Sequence, residues 1–344
     1  MADLTIMGAG IFGLALAYTC VRRGAHVRVI EKRVPGAGSS GGLVGALAPH
    51  VPENWNTKKA FQFDALRMAG PFWADVAARS GRDPGYARLG RVQPVAEDKL
   101  DLAQSRAAQS RALWQGFAEW QVIRASDAPG LPIVSLSGWV VHDTLSARLH
   151  PRMACAALVG ALQNAGVTVE QGEVPRAKGL TVWATGHEGL HDLSRDLGTE
   201  IGSGVKGQSV ALALRCPDAP QIFADGLHIV PHADGSVAIG STSERDFSDS
   251  DSTDEACDAL VAQARAICPA LRDAPEIGRW AGVRPRAKSR APLMGAWPGR
   301  AEDFVFNGGF KIGFAMAPAL TKIMADLVLD GRDTIPEDFR LSQP

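Results

Sequence analysis

A short apolar strand running straight into Gly8-Ala9-Gly10-Ile11-Phe12-Gly13 constrains this chain more than any other feature. Leu4-Thr5-Ile6-Met7 reads as a buried strand, Ile11 to Arg23 as a helix closed by Gly24, and Val27-Arg28-Val29-Ile30 as a second strand. Strand, helix and strand within about thirty residues make the βαβ unit of a parallel sheet. In such a unit the first glycine permits the tight turn and the second lets backbone approach a pyrophosphate. The third lets the helix pack closely on the strand, and the helix N-terminus adds partial positive charge. Glu31, eighteen residues after Gly13, ends the second strand, where a carboxylate can accept hydrogen bonds from a ribose diol. Gly8, Gly10, Ile11, Phe12, Gly13, Glu31 and its neighbour Lys32 are therefore expected to bind a dinucleotide.

The run Leu4 to Val21 is almost uncharged, but neither a signal peptide nor a membrane span is expected there. Asp3 stands where a signal peptide is positive, three glycines interrupt the run, and a strand follows it. The 344 residues carry a formal net charge of −1, so no global attraction to nucleic acid or to anionic membrane is expected. Five cysteines, odd in number and without a C-x-x-C pair, argue against a disulfide framework and for the reducing cytoplasm.

Beyond the first unit, Gly36 to Gly42 is a glycine- and serine-rich loop, and Lys59 to Ala77 has apolar residues at helical spacing. Residues 81–142 change character, with short apolar segments flanking an alanine- and glutamine-rich helical stretch. Arg152 to Asn164 reads as a helix, Val167 to Val169 and Leu180 to Trp183 as strands. Gln208 to Leu214, Gly226 to Pro231 and Ser236 to Gly240 read as successive strands with turns between them. Ser252 and Glu255 have capping-box spacing ahead of a helix through Ile267. Phe304 to Phe306 is a strand, and a helix runs from about Pro318 to Leu329. The alternation predicts an α/β fold: a Rossmann-like dinucleotide domain from residues 1–80, 143–204 and 283–344. An interleaved antiparallel-sheet α+β domain comes from residues 81–142 and 205–282.

A nicotinamide enzyme would extend its parallel sheet with further βα units, whereas this chain turns into a glycine-rich loop and a β-rich insertion before returning. Leu180 to Gly186, ending in Ala184-Thr185-Gly186, resembles the turn by which the glutathione-reductase-like fold passes close to FAD. Six segments in order then resemble the D-amino acid oxidase and glycine oxidase superfamily. They are the fingerprint, Ser39 to Pro49, Ala184 to Gly186, Leu227-His228-Ile229-Val230-Pro231 leading to Gly240-Ser241-Thr242, Trp280-Ala281-Gly282-Val283-Arg284-Pro285, and Gly308-Gly309-Phe310-Lys311-Ile312-Gly313 ending in Ala317-Pro318.

That resemblance implies non-covalent FAD and a small amine or amino acid, such as glycine, sarcosine or a small D-amino acid, as substrate. Hydride passes from the amine-bearing carbon to flavin N5, and O₂ reoxidises the flavin to give H₂O₂. It adds Ser39, Ser40, Gly45, Ala46, Val174, Ala184, Thr185, Gly186, Gly308, Gly309, Phe310, Lys311, Ile312 and Gly313 to the expected cofactor contacts. Arg284 would grip the substrate carboxylate, because a planar guanidinium can hold it with two parallel hydrogen bonds. Arg284 also begins the cluster Arg284, Arg286, Lys288 and Arg290, whose alternative reading is a solvated basic loop. Lys311 would place a cation beside the flavin, and backbone N–H groups of Gly309 to Gly313 would stabilise its negative charge on reduction. The family's substrate tyrosine has no counterpart among Tyr18 and Tyr86, and His228 stands at a matching strand position, either lining the pocket or serving the fold.

Ser39 to Pro49 and Ala60-Phe61-Gln62-Phe63 also resemble the oxidoreductase half of the bacterial enzyme that trims a carboxymethyl group from tRNA wobble uridine. An amine dehydrogenase with another electron acceptor is a further alternative. His187-Glu188-Gly189-Leu190-His191 matches H-E-x-x-H, but its glycine and its place after the Ala-Thr-Gly turn argue against zinc, and no metal is expected.

Overall fold

The computed structural model describes residues 3–173 and 179–341 and contains two large sheets. The first has six strands in the order Leu293–Ala296, Asp303–Asn307, Leu180–Trp183, Leu4–Met7, Val27–Glu31, Val169–Gln171. All pairs are parallel except Leu293–Ala296 with Asp303–Asn307. Leu4, Ile6, Val29 and Val182 are fully buried, as strands covered on both faces require. Helices Ile11–Arg22, Thr57–Ser80, Pro151–Asn164 and Gly313–Asp330 share one continuous core with this sheet.

The second sheet has eight strands in the order Glu276–Ala287, Gly202–Ala213, Ser236–Gly240, Leu227–Pro231, Gln221–Ala224, Arg91–Pro94, Trp139–Asp143, Trp120–Arg124. The expected antiparallel pattern holds at every junction but one: Gln221–Ala224 runs parallel to Arg91–Pro94. Alternation sorts the faces of this sheet. Val210, Leu212, Leu227, Ile229, Val237 and Ile239 share a core cluster with Leu260, Val261 and Ala264 of helix Ala256–Ile267. The opposite face carries Phe223, His228, Gly240, Ser209 and Trp280, cross-strand partners in one row.

Several local expectations shift. The C-terminal helix begins at Gly313, five residues earlier than expected, with Pro318 inside it. Helix Ala256–Ile267 has no capping box: Ser252 N–H donates to Asp249, and Asp254 Oδ1 accepts from Ala256 N–H at 2.9 Å. The third strand of the parallel sheet's far edge is Val169–Gln171, two residues later than expected. Among the described residues no helix is long and apolar enough to cross a membrane. All five cysteines are free.

Candidate functional site

The parallel strands end on one edge, so Gly8, Glu31, Ala184 and Gly308 come together there. In open α/β sheets this carboxyl edge is where ligands bind. Gly8 has φ +100°, and a Cβ on it would lie 2.5 Å from the Ala184 carbonyl oxygen, so the first turn sits hard against the Ala-Thr-Gly turn. Gly13 is tighter still: a Cβ there would lie 1.9 Å from the Gly8 oxygen, which is the close helix–strand approach the third glycine permits. Gly10 caps helix Ile11–Arg22 without a side-chain hydrogen bond, and the first turn holds no acidic residue, leaving its positive end uncompensated. Ile11 N–H instead donates to the buried Ser40 Oγ at 2.9 Å, joining the fingerprint to the Ser39 to Ala46 loop.

Glu31 is oriented by backbone. Its Oε2 accepts from Ala9 N–H at 2.7 Å and its Oε1 from Arg33 N–H at 3.0 Å, and each oxygen keeps a further lone pair. Lys32 is exposed, with its ammonium 3.0 Å from Glu173 and 3.5 Å from Glu188. Val174 lies outside the described residues. Phe12 stacks on Phe306 with ring centroids 4.3 Å apart, and its edge closes over Gly309. Asn307 Nδ2 donates to the Gly186 carbonyl at 2.8 Å, tying two strand ends together.

The Ser39 to Ala46 loop runs beneath the eight-stranded sheet. Gly41 and Gly42 face the Trp280 indole, Leu43 packs on Ala211 and Ala238, and Val44 lies against Gly240. Gly45 (φ +60°) passes so near Leu149 that no side chain fits, and Ala46 pairs with Arg148. A buried histidine absent from the expected set, His232, approaches the Leu43 carbonyl at 2.9 Å through Nε2. These contacts set the bare backbone of the fingerprint, the Glu31 carboxylate and the Ser39 to Ala46 loop along the carboxyl edge of the parallel sheet. The residues present fit a bound FAD.

Lys311 is close enough to both Arg284 and His228 for its charge to act on each. Arg284 is buried, unlike exposed Lys288 and Arg290, so the basic-cluster reading does not describe it. Its Nη2 donates to Ser241 Oγ at 2.6 Å and its Nη1 to the Thr242 carbonyl at 3.2 Å. Burial pulls its pKa down to about 10, against the opposing pull of Glu244. Lys311 is exposed; partial desolvation and then the Arg284 charge lower its pKa. His228 is held neutral, its pKa pushed down to about 3 by burial, then by Arg91 and Lys311. Its Nδ1 is buried and, among the described residues, has no hydrogen-bond partner. The ring is braced against Phe223, 4.6 Å away centroid to centroid, and Phe223 in turn lies under Arg91, itself paired with Asp143 at 3.0 Å.

The turn before the last helix is partly spoken for. Phe310 N–H donates to the Pro285 carbonyl and Ile312 N–H to Gly309, so any stabilisation of anionic charge by this turn falls to Gly309, Lys311 and Gly313. The two tyrosines lie elsewhere: Tyr18 bonds Asp75 and Tyr86 packs near Gly70. The H-E-x-x-H segment does lie on a helix, Gly186–Leu197, with the two imidazoles 6.2 Å apart. Its Glu188 pairs with Lys32, and among the described residues no group of three His, Cys, Asp or Glu side chains is arranged to hold a metal.

Comparisons with known proteins agree with this arrangement. The chain is 27% identical to a glycine oxidase of Pseudomonas aeruginosa over 96% of both chains, and 26% identical to one of Pseudomonas putida over 95% of this chain and 94% of that one. Its fold superposes on a glycine oxidase from Geobacillus kaustophilus with a TM-score of 0.86 at 22% identity, covering 100% of this chain and 99% of that one. An iminodiacetate oxidase from Chelativorans sp. BNC1 gives 0.85 at 21%, covering 98% of each. Residues 3–327 match the family described as DAO, FAD dependent oxidoreductase, and the chain belongs to that family.

Proposed function

We propose that this flavoenzyme oxidises a small amino acid or N-substituted glycine, with Arg284 as the carboxylate grip and O₂ as the electron acceptor. The observation that carries the reading is the buried, half-used fork of Arg284. Each terminal nitrogen has one protein partner, which leaves one N–H on each for a ligand. The glycine oxidase relatives support the same substrate class.

Bound FAD would supply the hydride acceptor and the group that O₂ reoxidises. Around it, residues 1–80, 143–204 and 283–344 form the cofactor half and residues 81–142 and 205–282 the cover. Gly8 to Gly13 and Glu31 hold the dinucleotide, and Ser39 to Ala46 with Gly308 to Gly313 flank its reactive end. The carboxylate on Arg284 fixes the amine-bearing carbon. The positive charges of Arg284 and Lys311 disfavour a further cation, so the substrate amine is held in its neutral, oxidisable form. His228, held neutral by burial, adds no further cation beside Lys311. Lys311 sets positive charge where the reduced cofactor gains negative charge. Five free cysteines support a cytoplasmic protein.

Arg284→Met tests this. The variant should keep FAD and lose about 2–5 kcal/mol of transition-state stabilisation toward glycine or sarcosine, roughly 30- to 5000-fold in kcat/KM. Amines without a carboxylate should be poor substrates for the wild type and indifferent to the change. Equal losses for both substrate classes, with flavin intact, would remove Arg284 from substrate recognition.

A further inference from the structure

The Arg284 guanidinium has a floor as well as two clamps. Gly207 and Gly282 pair across strands Gly202–Ala213 and Glu276–Ala287, on the face of the sheet that carries Ser209 and Trp280. The Trp280 indole covers Gly282, and the Arg284 guanidinium covers Gly207. A Cβ built on Gly207 would lie 1.9 Å from Nη1, 2.1 Å from Nη2 and 2.2 Å from Cζ, that is, inside the guanidinium. Gly207 does not have a positive φ, so its backbone has no need of glycine. The three atoms its Cβ would most nearly meet all belong to the end of one side chain. A bare Cα here serves Arg284.

We propose that Gly207 is a positioning residue for Arg284: its backbone is the seat on which the guanidinium lies, while Ser241 Oγ and the Thr242 carbonyl fix its rotation. This rests on the reading of Arg284 as the carboxylate grip. A methyl group at 207 would lift the guanidinium off the strand by more than an ångström and swing the fork away from Ser241. The fold tolerates that, because the flexible end of Arg284 gives way rather than backbone. Substrate recognition does not, since misplacing a binding group by about 1 Å can cost on the order of 100-fold.

The test is a double-mutant cycle of Gly207→Ala and Arg284→Met, read by kcat and KM for sarcosine and for an amine lacking a carboxylate. Acetate binding, followed by perturbation of the flavin spectrum, and thermal melting complete the measurements. Gly207→Ala should melt with the wild type and keep FAD. It should lose about 10- to 100-fold in kcat/KM for sarcosine, mainly through KM, and weaken acetate by a similar factor. In the Arg284→Met background the same change should do nothing further, because two residues acting through one group are not additive. Wild-type behaviour of Gly207→Ala, an equal loss in the Arg284→Met background, or a variant that fails to fold would each overturn the proposal. If Arg284→Met loses its carboxylated substrates as expected, those outcomes strike Gly207 alone. If Arg284→Met shows no preference between substrate classes, the functional reading falls first.

Discussion

Three glycines of the fingerprint should respond very differently to the same methyl group, and the difference separates cofactor approach from packing. At Gly13 the added Cβ would stand 1.9 Å from the Gly8 carbonyl oxygen, against about 3.5 Å for an ordinary contact, so helix and strand must part by roughly 1.6 Å. Overpacking of this kind costs about 1–3 kcal/mol, and here the neighbour is rigid backbone at the centre of the sheet. At Gly8 the positive φ adds strain to a 2.5 Å clash with Ala184. At Gly10, by contrast, the nearest atom is Ser40 Oγ at 3.2 Å, which can withdraw by a few tenths of an ångström. Gly10→Ala should therefore leave the apoprotein's melting temperature nearly unchanged. Its methyl group, however, stands at the helix N-terminus where the pyrophosphate is proposed to approach, and FAD affinity should fall at least about tenfold, or ~1.4 kcal/mol. Gly13→Ala should lose stability and FAD together. Calorimetry of the apoproteins and fluorescence titration with FAD measure both quantities. Wild-type FAD affinity in Gly10→Ala, or a wild-type melting temperature in Gly13→Ala, would refute the reasoning.

Acid should destabilise the protein through its buried histidines. His228 and His232 have folded pKa values of about 3 and 4, below the usual 6.5, so the unfolded chain binds more protons between those limits and stability falls as pH drops below about 6.5. At pH 5.5 each contributes a loss of about 1.4 kcal/mol, and denaturation of His228→Gln should show about one such increment less acid sensitivity than wild type. Zinc content of the purified protein should be negligible and a chelator should leave amine oxidation unchanged. Stoichiometric zinc lost on His191→Ala would restore the metal reading of the His187 to His191 helix.

The α/β fold was legible in sequence because its signals are local. A strand, three glycines and a carboxylate within thirty residues are each dictated by backbone geometry, and Leu4–Met7, Leu180–Trp183 and Ser236–Gly240 form where alternation and turn residues put them. Arg284 and His228 could be named only through resemblance; that they meet Lys311 depends on strands far apart in the chain. What stayed hidden has a common cause. Gly207 reads as an ordinary strand glycine until Arg284, seventy-seven residues later, is laid over it. His232 reads as a loop residue until the Leu43 carbonyl arrives from the other end of the chain. The helix Gly186–Leu197 was obscured by Gly189, which is kept small by Thr185: a Cβ there would lie 2.1 Å from its Oγ1.

The parallel junction of Gln221–Ala224 with Arg91–Pro94 has a consequence for how the chain is made. Strands Arg91–Pro94, Trp120–Arg124 and Trp139–Asp143 leave the ribosome as a three-stranded fragment whose open edge has no partner until residue 224 has followed. The parallel sheet waits longer: Leu180–Trp183 lacks one neighbour until Asp303–Asn307 is synthesised. Both sheets close only across long sequence separations, so folding is dominated by distant pairings, which are slow to form and leave strand edges exposed meanwhile. Overproduction of this protein should strain the cell's chaperones more than its size suggests, and fragments truncated between the two insertions should aggregate instead of folding as a domain.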